Sequence, residues 1–155
     1  MNPAFMHEAI RISLEMMRAN KGGPFGAVIV RDGKIVGCGW NQVTSTNDPT
    51  AHAEVTAIRD ACKNLQTFQL TDCELYTSCE PCPMCLAASY WARLRKVYFG
   101  NTRQDASAIG FDDEFLYNQI GLPLNERTLI LEQCCPVEAK AAFEEWKNKP
   151  DKILY

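Results

Sequence analysis

This 155-residue chain has no long hydrophobic run. Apolar stretches such as residues 27–30 and 129–131 fall far short of the ~20 residues that span a bilayer, so no membrane association is expected. It also lacks an excess of positive charge. Sixteen Lys and Arg stand against nineteen Asp and Glu, a net charge of −3, which removes the general electrostatic reason for binding nucleic acid or an anionic surface. Met1-Asn2-Pro3-Ala4-Phe5 offers no basic flank followed by an apolar run, so no export signal is read there and a cytoplasmic protein is expected. Repeats, linkers and low-complexity segments are missing too, so residues 1–155 are read as one domain. The chain is not poor in apolar residues: 46% hydrophobic and 23% charged are ordinary for a globular protein, and this length can bury roughly 70% of its unfolded surface.

Eight cysteines are present. A disulfide framework of the kind small exported domains use is disfavoured, because the chain is long enough to fold without staples and because Cys82 and Cys85 are spaced like metal ligands. Cys38, Cys62 and Cys73 lie in apolar-patterned segments and read as buried reduced thiols.

Residues 5–19 carry apolar positions compatible with one helical face, and residues 20–23 supply the stop. Residues 27–30 and 34–39 are β-rich and flank Asp32-Gly33, a two-residue hairpin turn. A polar loop over 41–49 leads to a helix over about 51–63. Then come a buried strand at 73–77, a helix at 83–93, a strand at 96–100, a mixed segment at 104–119, a short strand at 129–133 and an amphipathic helix at 137–148. Strands alternating with helices imply βαβ units. The expected fold is α/β, a three-layer α/β/α sandwich around a five-stranded mixed sheet.

His52-Ala53-Glu54 opens one helix and Pro81-Cys82-Pro83-Met84-Cys85 opens another. This H-x-E and P-C-x-x-C pairing is the signature of zinc nucleobase deaminases. Pro83 suits the first position inside a helix, which makes Cys82 the N-cap and puts Cys85 one turn on, so both sulfurs can reach one ion. A helix N-terminus also favours thiolate, the form that binds metal. Cys79-Glu80-Pro81-Cys82 is a second C-x-x-C, and spacing alone does not rank the two. Cys79 lies before Pro81 and off the helical turn, which favours Cys82 with Cys85, while a closed four-ligand structural site including Cys79 remains the alternative. Three protein ligands, His52, Cys82 and Cys85, would leave zinc the open position that catalysis needs. Glu54 is the candidate proton carrier. With Thr50 as N-cap, the capping-box position falls on Ala53, so Glu54 is not explained as a capping residue. On a regular helix, however, His52 and Glu54 point about 200° apart, so the pairing requires His52 to reach around the helix end.

Gly22-Gly23-Pro24-Phe25-Gly26-Ala27-Val28, the 47–55 segment around His52, the 76–85 segment around the cysteines, Gly110-Phe111-Asp112-Asp113 and the terminal Tyr155 together resemble the bacterial guanine deaminases of the cytidine deaminase superfamily. The likeness runs over nearly the whole chain. It implies a cytidine deaminase-like fold, one Zn2+ per subunit and hydrolysis of a small-molecule purine, guanine, to xanthine and ammonia. Water activated at zinc would attack C2, Glu54 would relay protons, and Asp113 would assist at the amino group. Asn41, Ala53, Phe25, Trp91 and Tyr155 would contact the base. The resemblance further implies a homodimer, with a C-terminal segment of about residues 137–155 that covers the pocket and is often exchanged between subunits. Plant-type guanosine deaminases are similar at nearly the same motifs, and tRNA adenosine deaminases share the metal motif. A non-catalytic zinc-stabilised module would instead need a fourth protein ligand.

Overall fold

The computed structural model describes residues 1–155, which divide into two compact units, Met1–Tyr117 and Asn118–Tyr155. The first unit opens with α1 (Pro3–Arg18), whose N-cap Asn2 accepts a hydrogen bond from the Ala4 amide ahead of a proline in the first turn. β1 (Gly26–Arg31) and β2 (Lys34–Trp40) form an antiparallel hairpin. Its turn residues Asp32 and Gly33 both have positive φ (51° and 73°), the conformation a two-residue hairpin turn requires. A short helix α2 (Val43–Thr46) interrupts the loop expected over 41–49. Then follow α3 (Ala53–Leu65), β3 (Cys73–Cys79), α4 (Pro83–Trp91), β4 (Lys96–Asn101), α5 (Arg103–Ala108) and the start of α6 (Asp113–Gly121).

The sheet is mixed, with strand order β2-β1-β3-β4; β1 is antiparallel to both its neighbours and β3 is parallel to β4. Helices pack on both faces. On one, Ile12 of α1 meets Val28, Val30 and Tyr76; on the other, Ala53, Ala57 and Ala61 of α3 meet Ala27, Ile29, Cys73 and Leu75. The alternation of β3 divides its residues accordingly, with 73, 75, 77 and 79 facing α3.

α3 approaches β2 closely because both surfaces are small. A methyl group on Gly39 would sit 2.2 Å from the Ala53 carbonyl oxygen, and one on Gly37 would sit 2.6 Å from that of Ala57. Facing alanines four residues apart with glycines brings the start of α3 to the end of the sheet where β2 and β3 finish. This close packing positions the site.

Four strands are present, and the fifth expected at residues 129–133 does not form. Those residues form no regular element and pair with nothing, and Leu129 and Ile130 are exposed. Apolar β-formers make a strand possible, but a ladder needs a partner's backbone, which this stretch does not have here. The second unit also holds a 3-10 turn (Leu124–Glu126) and α7 (Pro136–Asn148); none of its residues is buried. No helix is long and apolar enough to cross a membrane.

Candidate functional site

β2 and β3 end, and β1 begins, at one end of the sheet, where Trp40 pairs with Gly26 and Thr77 with Ala27. The N-termini of α3 and α4 open there as well. His52 is the N-cap of α3, in an extended conformation (φ −71°, ψ 159°), and Cys82 is the N-cap of α4 (φ −64°, ψ 168°). The α3 helix therefore starts two residues later than a Thr50 cap would place it. That shift removes the angular difficulty between His52 and Glu54, because His52 stands outside the helix and Glu54 is the second residue within it. The His52 side chain makes no capping bond to its own helix, and the Cys82 side chain turns toward Cys85 and His52, so the two caps meet at a shared point.

His52, Cys82 and Cys85 offer ligand atoms that all lie within 4.8 Å of one another, and both cysteines are buried. The Cys82 Sγ and His52 Nδ1 are 3.6 Å apart. A nitrogen and a sulfur bound to one tetrahedral zinc ion would be separated by roughly 3.6 Å, given Zn–N near 2.05 Å and Zn–S near 2.3 Å. The donor set and its spacing fit zinc. Electrostatics point the same way: Cys82 is pulled well below the usual thiol range by the hydrogen bond from Cys85, with His52 adding to the effect, while Cys85 is pushed up by its Cys82 neighbour and by burial. His52 is raised, first by its contact with Cys82.

Cys79 lies outside this group. Its thiol donates to the Thr102 carbonyl oxygen at 3.7 Å, and burial pushes it up to about 11, so it stays protonated. No fourth protein ligand joins the three.

Glu54 is only 6% exposed, and the Thr77 hydroxyl donates to its Oε1 at 3.2 Å. Burial raises its carboxyl above the ordinary range; its own backbone amide and Cys85 oppose this. Beside it opens a cavity of about 240 Å³ that His52, Glu54 and Cys82 share with Phe25, Asn41, Ala53, Phe111 and Asp113.

Residues 2–101 match the cytidine and deoxycytidylate deaminase zinc-binding region. The chain belongs to the cytidine and deoxycytidylate deaminase family. Within that family it is 52% identical over 151 residues to a guanine deaminase of Bacillus subtilis (strain 168), with 97% of each chain covered. The X-ray structure of the guanine deaminase from Bacillus subtilis superposes with a TM-score of 0.97, at 52% identity, covering 100% of this chain and 99% of that one. A tRNA-specific adenosine deaminase of Haemophilus influenzae is 40% identical over 153 residues, covering 94% of this chain and 87% of its own. This chain is a zinc-dependent deaminase of that family.

The remaining residues singled out from the deaminase motifs fall as follows. Asn41 is buried at the cavity, but its Oδ1 accepts long hydrogen bonds, both 3.3 Å, from the Gly23 and Val43 amides. Its acceptor is thus committed to the loop, and its NH₂ is left as a donor for a ligand. Ala53, fully buried, contributes the first residue of α3. Phe25 is a wall, meeting Phe111 edge-on at 4.8 Å. Asp113 heads α6, and its carboxyl is raised by burial first and by Cys82 next. Trp91 is the exception. It ends α4 about 13 Å along the helix from Cys82 and is 69% exposed, so α4 carries it away from the cavity of its own chain. Tyr155 lies in the second unit and is 71% exposed.

Phe111, Thr77 and Glu80 were not identified as site residues from the sequence. Phe111 was visible only as a neighbour of Asp113. The sequence marks 73–77 as a buried strand, but nothing in it shows that Thr77 would meet Glu54.

Proposed function

We propose that this chain hydrolyses guanine to xanthine and ammonia. The observation carrying the reading is that Asn41, Asp113 and the Phe25–Phe111 pair share one cavity with Glu54 and the His52, Cys82, Cys85 group. Likeness to the Bacillus guanine deaminase over 97% of both chains supports it.

His52, Cys82 and Cys85 would hold the metal, and zinc bound there supplies the Lewis acidity that makes water nucleophilic near neutral pH. Glu54 takes a proton from water as a C–O bond forms at C2, and hands it to the adjacent ring nitrogen. It then moves the hydroxyl proton to the amino nitrogen; the C–N bond breaks, ammonia leaves and a C2 carbonyl remains. Burial and the Thr77 hydroxyl suit Glu54 to carrying a proton between steps. The Asn41 NH₂ donates to an acceptor on the base, the Asp113 carboxylate engages the substrate amino group, and the aromatic pair encloses the ring.

A free base is favoured over a nucleoside because the likeness to the Bacillus guanine deaminase covers 97% of both chains. An RNA adenosine is disfavoured because the lining carries Glu54, Glu80 and Asp113 but no Lys or Arg. Offered guanine, guanosine and an RNA hairpin containing adenosine, the zinc-loaded protein should form xanthine and equimolar ammonia from guanine alone. Xanthosine or inosine as the main product would reassign the substrate.

The functional unit in this reading is a homodimer, in which the C-terminal segment (137–155) of one copy covers the pocket of the other. An isolated 13-residue helix is marginal in water, yet α7 buries no residue and exposes Val137 and Phe143, so a second chain is the natural cover. Deleting residues 151–155, which end in Tyr155, should lower kcat on guanine by tenfold or more, on the order of a positioning contact, with the fold retained. Kinetics matching wild type would remove the segment from the site. Eight free thiols and a thiolate metal group suit a reducing compartment such as the cytoplasm.

A further inference from the structure

We propose that Tyr117 is a positioning residue that ties the helix carrying Asp113 to the loop carrying the metal ligand Cys82. The inference rests on the reading of Asp113 as a substrate-contacting group. Asp113 and Tyr117 are four residues apart on α6, so they share a face one turn apart. The Tyr117 hydroxyl donates to the Pro81 carbonyl oxygen at 3.0 Å. That carbonyl belongs to the peptide leading directly into Cys82, the N-cap of α4. One hydrogen bond therefore spans from the Asp113 helix to the metal corner.

A second set of contacts holds the same loop. The Arg103 backbone amide donates to the Glu80 carboxylate at 3.0 Å, while the Arg103 guanidinium lies over the Tyr117 ring, 5.1 Å from its centre. Glu80 also anchors its own amide on the Asn101 carbonyl oxygen at 2.8 Å. Both residues preceding Cys82 are thus gripped, Glu80 by the start of α5 and Pro81 by Tyr117, with Arg103 touching both fastenings.

Asp113 needs such a tether. No group of the chain donates a hydrogen bond to its carboxylate, so the carboxylate's position follows that of α6. Near it, the edge contact of Phe111 with Phe25 fixes the chain on one side, and Tyr117 fixes it on the side of the metal ligands. The separation between the group that engages the substrate and the group that holds the metal is the distance on which the reaction geometry depends, and a small misplacement there costs rate.

Tyr117→Phe keeps the ring over Arg103 and removes only the hydroxyl. It should lower kcat/KM for guanine by about three- to tenfold, the worth of one neutral hydrogen bond, with zinc content unchanged and the fold retained. In an Asp113→Ala background the same change should have no further effect, since a residue acting through Asp113 has nothing left to position. An equal loss in both backgrounds, or a wild-type rate in the single variant, overturns the proposal. Wild-type protein that leaves guanine untouched would refute the activity instead. The tether is then read by hydrogen exchange over residues 111–117, where faster exchange in Tyr117→Phe supports it and unchanged protection overturns it.

Discussion

Glu54→Gln is expected to keep its zinc and lose turnover of guanine by about 10²–10⁴-fold, the range for removing a general acid–base group. The amide has the carboxylate's shape and can still accept from the Thr77 hydroxyl, so the cavity and the three ligands should be undisturbed. It cannot take up a proton from water. Steady-state kinetics alongside metal analysis of the same sample would check both halves, and turnover within a few-fold of wild type would refute the role. The same substitution should have the opposite effect on stability in metal-free protein. Burial holds the Glu54 pKa above that of the unfolded chain, so the fold binds this proton more tightly than the unfolded state does. Below the ordinary carboxylate pKa the group is neutral in both states and contributes no difference. As pH rises toward the raised folded value, the unfolded chain ionises first and the fold loses stability. Metal-free Glu54→Gln should therefore melt above metal-free wild type at neutral pH, and the gap should close in acid. A residue that weakens the fold it sits in is what a catalytic role in a buried pocket entails.

Cys82→Ala should lower zinc affinity by more than about 100-fold, the upper figure for losing a mere outer-shell partner, and activity should fall with zinc content. The contrasting substitution, Cys79→Ser, should leave zinc in place. Both cysteines belong to a C-x-x-C, so the pair of variants decides between the two motifs. The reasons differ at each position. Cys82 is held toward the thiolate by Cys85 and His52 at the mouth of a helix, whereas Cys79 is a protonated thiol bonded to the Thr102 carbonyl oxygen. Zinc affinity should also weaken as pH falls, because Cys85 must surrender its proton to bind. Zinc retained by Cys82→Ala, or lost from Cys79→Ser, would exchange their assignments.

Some of this was legible without coordinates because it depends on local chemistry. Asp32-Gly33 marks a hairpin since few other pairs tolerate positive φ twice in succession. Pro83 marks Cys82 as a cap since a proline has no amide to leave unpaired at the first turn, and the helix begins there. The start of α3 was less legible. Thr50 is as good a capping residue as any by type, yet its hydroxyl donates to the Asp48 carboxylate in a turn of its own, which moves the helix start to Ala53. The apolar run at 129–133 is a strand by composition and none by structure, because pairing depends on another segment's backbone.

The sequence by itself determined the metal ligands as residue types at set distances, the helix starts that turn two cysteines toward one ion, and the hairpin and helices that carry them. These depend on neighbours in the chain, so spacing expresses them. Tertiary structure alone decided that Thr77 meets Glu54, that Phe111 faces Phe25, that Asn41 spends its carbonyl partly on the distant Gly23 amide, that Trp91 is carried away from the cavity, and that Tyr117 reaches Pro81. Each of these depends on which distant surfaces pack together, a property of the whole sheet and its helices that local spacing does not encode.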